Sequence, residues 1–267
     1  MTLQLDPRRL AMLREMGLRL LPPSPAPDLS EAQPVQPAPA RPPAPERPVQ
    51  PMRAATAAAP VPAVAEVPLA DVPDERTETV DALDWGGLAT AVAACRACGL
   101  CESRRNTVLG VGPAQADWMV VGEAPGEQED LQGEPFVGPA GQLLDNMLRA
   151  LGLDRRRNVY IANVLKCRPP GNRNPQPEEV ARCEPFLRRQ VALVQPRVIL
   201  AMGRFAVQTL LQSSEPIGRL RGRVHAYQGV PVVVTYHPAY LLRNLPDKAK
   251  AWADLCLAAD LMDGGGA

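Results

Sequence analysis

Hydrophobic residues fall into two rhythms over the later part of this chain. Trp118-Met-Val-Val-Gly122, Val159-Tyr-Ile-Ala-Asn163, Val198-Ile-Leu-Ala-Met202 and Val230 to Thr235 are compact apolar runs that read as short buried strands. Between them apolar positions recur at helical spacing. Gly141 to Leu151 sets Leu144, Met147, Leu148 and Leu151 on one face, and Glu178 to Val194 and Phe205 to Leu211 predict two further helices. Strands alternating with helices imply a parallel sheet covered on both faces. The predicted fold is therefore α/β: a three-layer α/β/α sandwich around a central, mostly parallel four-stranded sheet. In such sheets functional side chains gather in the loops past the carboxyl ends of the strands. Glu123, Asn163, Gly203 and His237 all sit there, which points to one shared site.

The first part of the chain follows neither rhythm. Residues 22–74 hold 16 of the 31 prolines, amid abundant alanine. Such a tract cannot bury enough apolar surface to offset its ordering entropy, so residues 22–80 are expected to form a disordered linker. Ahead of it, Leu10, Leu13, Met16 and Leu20 lie at helical spacing and predict a short amphipathic helix within residues 1–21. Such a tethered helix would either dock a replication or repair protein or form only a frayed terminus. The compact domain is expected over residues 81–263.

Charge changes this picture little. The net charge is zero, −2 over residues 1–80 and +2 over residues 81–267. Basic residues in the second part are clustered: Arg155 to Arg157, then Lys166, Arg168 and Arg173, then Arg219, Arg221, Arg223 and Arg243. Local clusters fit a small phosphate-binding footprint better than a broad polyanion coat. The N-terminus has charges throughout, unlike a secretory signal. No apolar run approaches the roughly 20 residues of a membrane-spanning helix. A cytoplasmic monomer without membrane association is expected.

Six cysteines in such a chain argue for metal ligation rather than disulfides. The turn Cys95-Arg-Ala-Cys98 puts two thiolates on one metal or cluster, and the distant pair Cys167 and Cys183 closes the site. Spacing alone allows zinc or an iron–sulfur cluster. Cys256 lies in an apolar helix and reads as a core thiol.

Four motifs lie among and beyond these cysteines: Gly122-Glu-Ala-Pro-Gly126, Pro135-Phe-Val-Gly138, Asn163-Val-Leu-Lys-Cys-Arg-Pro-Pro170 and His237-Pro-Ala-Tyr-Leu-Leu-Arg243. Together, in order and from about Cys95 to Arg243, they resemble the family 4 uracil-DNA glycosylases, the iron–sulfur members of their superfamily. The resemblance implies base excision repair: uracil is flipped out of DNA and its N-glycosidic bond is hydrolysed, leaving an abasic site. It also implies a [4Fe–4S] cluster on Cys95, Cys98, Cys167 and Cys183, with Cys101 outside the ligand set because no family position matches it.

Chemistry on a base within a duplex requires the nucleotide to be flipped into a pocket. The resemblance makes Phe136 the stacking face; a lone Phe is otherwise a packing residue. Asn163 would pair with uracil O4 and N3–H and reject cytosine, whose edge is reversed, although a strand-end Asn is also a common turn former. His237 would donate to uracil O2 as negative charge develops on the departing base. Gly122, Glu123 and Ala124 would supply contacts to the flipped base. Glu123 is the candidate for orienting water, with Ala124 standing where another branch of the superfamily has Asp. Lys166, Arg168 and Arg243 would hold DNA phosphates, and Leu241 and Leu242 would fill the gap left by the flipped base; Leu-Leu-Arg could equally start a helix. No lysine lies in the expected pocket, which argues against lyase chemistry. A second reading is a weakly catalytic uracil- or damage-binding accessory protein that recruits a polymerase or clamp through its N-terminal extension. A third keeps the chemistry and changes the base, to hypoxanthine or xanthine.

Overall fold

The computed structural model describes residues 79–264. The predicted N-terminal helix and nearly all of the Pro/Ala-rich linker lie outside the described residues. Elements run in the order α1 (Trp85–Ala94), α2 (Leu100–Ser103), β1 (Trp118–Gly122), α3 (Glu127–Gln132), α4 (Pro139–Ala150), β2 (Val159–Asn163) and α5 (Pro177–Val194). Then follow β3 (Val198–Met202), α6 (Arg204–Leu211), α7 (Ile217–Leu220), β4 (Val224–Tyr227), β5 (Val230–Thr235), α8 (Pro238–Leu241) and α9 (Lys248–Gly264).

The strands form one sheet in the order β2-β1-β3-β5-β4. β1 pairs in parallel with β2 and β3, β3 pairs in parallel with β5, and β4 alone is antiparallel. The sheet therefore has five strands and not the four expected. The additional strand, β4, is four residues long, alternates between exposed and half-buried positions, and lies at the edge. Its sequence, Val-His-Ala-Tyr, has no apolar run to mark it. His225 within it places Nε2 2.7 Å from the carbonyl oxygen of Leu220.

Every residue of β1, β2 and β3 is buried, because helices cover both faces. Successive side chains point to opposite sides. Trp118, Val120, Ile161 and Leu200 pack against Leu144, Met147 and Leu148 of α4 and Trp252 and Leu255 of α9. Met119, Val121, Ala162, Ile199 and Ala201 face the other way, onto Leu187 and Val191 of α5 and Val207 and Leu210 of α6. The register pairs Gly122 with Asn163 and Met202 with Thr235. The parallel strands thus end level, and the residues that follow them meet.

Candidate active site

A cleft of about 1100 Å³ opens at the carboxyl ends of the parallel strands. Each of those strands delivers a side chain to its lining: Glu123 after β1, Asn163 at the end of β2, Arg204 after β3 and His237 after β5. Beyond the strand ends Val164 N–H donates to the Gly122 carbonyl at 3.0 Å and Leu165 N–H to that of Glu123 at 3.1 Å. The acidic loop and the loop carrying Asn163 are thereby zipped together.

Asn163 is 2 % exposed, and among the described residues its Oδ1 has no hydrogen-bond partner. Buried acceptors are rarely left so, which marks this amide as reserved for a ligand. Gly122 makes room for it: a Cβ there would lie 2.5 Å from both Asn163 Oδ1 and Phe136 Cζ. Phe136 is 5 % exposed, and its ring stacks on the His237 imidazole with centroids 5.4 Å apart and planes 27° from parallel. Its backbone is left-handed, at φ 55°. For a bulky residue that conformation costs of order 1–3 kcal/mol and persists only when the surroundings hold it.

Glu129, which lies beyond the strand-end positions, supplies part of that hold. Its carboxylate accepts from the backbone N–H of Gly126 at 3.0 Å, Val137 at 2.9 Å and Gly138 at 3.1 Å. The acidic loop is thus tied to the segment bearing Phe136. The available signal was the spacing Gly126-x-x-Glu129, which is that of a capping box.

His237 accepts from Ala239 N–H at Nδ1, 3.2 Å away, which leaves the ring proton on Nε2. Burial, with the nearby Arg243 charge, pushes its pKa down to about 4. The imidazole is therefore neutral at neutral pH, with Nε2–H as its available donor. Burial raises the Glu123 carboxyl above the ordinary carboxylate value, offset in part by the Arg204 guanidinium. Arg204 also lies over the Phe205 ring, 4.6 Å from its centroid. The strand-end pattern points to Gly203, whereas the cation lies one residue later, where no spacing signal marks it.

The expected DNA-contacting residues divide. Arg243 is exposed and lines the cleft. Leu242 is 43 % exposed, whereas Leu241 is fully buried in the core. The one-turn helix α8 turns consecutive leucines to different sides, so Leu241 is a packing residue and not a wedge. Lys166 also departs from expectation. It is 1 % exposed, and its ammonium donates to the Asn163 carbonyl at 2.5 Å and to Gln190 Oε1 at 2.6 Å. A side chain so enclosed does not reach a DNA phosphate. Arg168 lies outside the cleft lining, with Nε on Asn172 Oδ1 at 2.7 Å and Nη1 3.9 Å from Glu127.

Cys95, Cys98, Cys167 and Cys183 line a second cavity, together with Cys101, Arg104 and Lys166. Cys95 caps the end of α1, Cys98 precedes α2, Cys167 follows Lys166, and Cys183 lies on α5. Two sulfurs already accept hydrogen bonds: Cys167 from Arg104 Nη1 at 3.2 Å and Cys183 from Lys166 N–H at 3.3 Å. Burial pushes the Cys183 thiol up to about 12 and raises Cys98 and Cys167 as well. Among the described residues, no three His, Cys, Asp or Glu side chains are placed to hold a single metal ion. Cys256 packs against the core on α9.

The profile of the uracil DNA glycosylase superfamily matches residues 109–256. The chain belongs to that superfamily. Among curated proteins it is 48 % identical over 159 residues to the type-4 uracil-DNA glycosylase of Archaeoglobus fulgidus, covering 57 % of this chain and 79 % of the relative. It is 46 % identical over 155 residues to that of Thermotoga maritima, covering 57 % and 80 %. With the type-4 uracil-DNA glycosylase of Pyrobaculum aerophilum identity is 40 % over 185 residues, covering 66 % and 93 %. Within the superfamily the chain therefore groups with the type-4 proteins. The profile's span includes Glu123, Phe136, Asn163, His237, Cys167 and Cys183.

Proposed function

We propose that this chain is a monofunctional uracil-DNA glycosylase that excises uracil in base excision repair. The observation that carries the reading is the unpartnered Asn163 amide, buried beside Phe136 and His237 at one end of a cleft. A flipped uracil stacks on Phe136. It donates N3–H to Asn163 Oδ1 and accepts at O4 from Nδ2, a pattern that cytosine's reversed edge cannot satisfy.

His237 Nε2–H then faces uracil O2. As the N1–C1′ bond breaks, both electrons pass to the base, and this neutral donor stabilises the anion in a largely enclosed setting. The sugar is left as an oxocarbenium-like cation. Water adds to C1′ and releases its proton, with Glu123 oriented by the zipped loops to receive it. Among the described residues no lysine lines the cleft, in keeping with hydrolysis rather than lyase chemistry.

The four thiols line one cavity, and the resemblance of their positions to the iron–sulfur family favours a [4Fe–4S] cluster there over one zinc ion. Bound there, the cluster would deprotonate the buried thiols and crosslink the segment before β1 to the loop after β2 and to α5. Arg104 and Lys166 line the same cavity and would serve as compensating cations.

Purified chain should release free uracil from DNA and leave alkali-labile sites, as read by mass spectrometry. Tight binding to uracil-containing DNA without base release would set the proposal aside.

A further inference from the structure

Arg155 reads in the sequence as one of three consecutive arginines suited to phosphate, yet the structure turns it inward. Its side chain is 14 % exposed and lies outside the lining of the cleft. Nε donates to Asp145 Oδ1 on α4 at 2.7 Å. Nη1 donates to the Pro135 carbonyl at 3.1 Å and Nη2 to the Phe136 carbonyl at 2.8 Å. One guanidinium thus grips two consecutive carbonyls while a carboxylate fixes its own orientation.

The gripped segment is the one that needs support. Phe136 holds a left-handed backbone. Its carbonyl lies so close to Gly141 that a Cβ there would collide with it. On the amide side, Glu129 binds the N–H groups of Val137 and Gly138. Residues 135–138 are therefore clamped through carbonyls by Arg155 and through amides by Glu129. Released from either clamp, the segment can relax toward an ordinary conformation and carry the ring away from Gly122 and His237.

We infer that Arg155 is a positioning residue for base stacking: its fork on the Pro135 and Phe136 carbonyls holds the Phe136 ring at the floor of the cleft. The inference rests on reading that cleft as the uracil pocket. Lysine cannot replace this arginine, because an ammonium is a point charge without a planar fork.

A double-mutant cycle under single-turnover conditions tests it, using Arg155→Lys, Phe136→Ala and the pair on uracil-containing DNA. Arg155→Lys should slow excision about tenfold or more, since a misplacement of about 1 Å can cost as much as 100-fold, while DNA affinity changes less than about twofold. In the Phe136→Ala background the same substitution should change the rate by less than about twofold. A wild-type rate in Arg155→Lys, or an equal loss in both backgrounds, overturns the inference. Asp145→Asn, which loosens the fork without removing it, should show the same dependence on Phe136, and its independence would equally count against the inference. Wild-type chain that releases no uracil would remove the underlying reading itself, an outcome distinct from an additive cycle in an active enzyme.

Discussion

The Phe136 ring and the His237 imidazole stack with centroids 5.4 Å apart, so the residue that would receive the base also braces the group that would stabilise its departure. Phe136→Leu keeps an apolar side chain of comparable size, a swap that usually costs less than about 1.5 kcal/mol of stability. It removes the aromatic face, whose stacking is worth about 1–3 kcal/mol per base. The expected result is a loss of about 10- to 100-fold in kcat/KM with little change in Tm, read by excision kinetics and thermal melting.

Asn163 gives a prediction of opposite sign for stability and activity. Its Oδ1 is buried without a partner, so the folded protein gains nothing from it. Asn163→Ala should leave stability unchanged or raise it, by about 1 kcal/mol at most. Excision should fall at least 100-fold, because both base-edge contacts are lost. A marked fall in Tm would show that the amide serves the fold.

The pH dependence follows from two shifts of opposite direction. With a folded pKa of about 4, His237 stays neutral across the range where an ordinary imidazole titrates. Excision should therefore show no limb near pH 6.5. Its acid limb should come from Glu123, above the ordinary carboxylate value, and should disappear in Glu123→Gln. For stability the signs differ. Between about pH 4 and 6.5 the folded state binds fewer protons at His237 than the unfolded chain, so stability falls as pH falls through that window. His237→Asn should flatten this decline in melts taken from pH 7 to 4. Burial of Glu123 acts the other way, its contribution being present below the ordinary carboxylate pKa and lost as pH rises through the raised one.

Two neighbouring leucines separate wedge from core. Leu241 is fully buried and Leu242 is 43 % exposed. Leu241→Ala should cost about 2–5 kcal/mol of stability. Leu242→Ala should leave Tm unchanged and slow excision from duplex DNA about tenfold, as expected of a side chain that fills the gap behind a flipped base. Equal thermal stability of both variants would contradict this division.

Cysteine substitutions test the proposed cluster. Cys95→Ser, Cys167→Ser or Cys183→Ser should each reduce bound iron and sulfide and abolish the brown absorption. Cys256→Ser should retain both, because that thiol packs in the core. Cys101 lines the same cavity as the four proposed ligands, so retention of the full chromophore by Cys101→Ser would define the ligand set.

Much of the site was legible because it sits where strands stop. Apolar runs ending in Glu, Asn and His located three of the four strand-end groups. The unread parts depend on tertiary contacts that spacing does not encode. Lys166 in a basic loop looks solvated, yet its partner Gln190 arrives from α5. Arg155 looks like surface charge until the Phe136 carbonyl is brought beside it. β4 is too short and too exposed to leave an apolar signature.

The proposed role of the cleft is to read and release uracil. Its most direct test is a gel assay of purified chain on oligonucleotides carrying a single U, T, C or hypoxanthine, with Asn163→Ala and His237→Ala in parallel. The expected result is alkali-dependent cleavage at U alone, lost in both variants while their folds persist. Near-wild-type cleavage by both variants, or no cleavage at U by the wild-type chain, would contradict it.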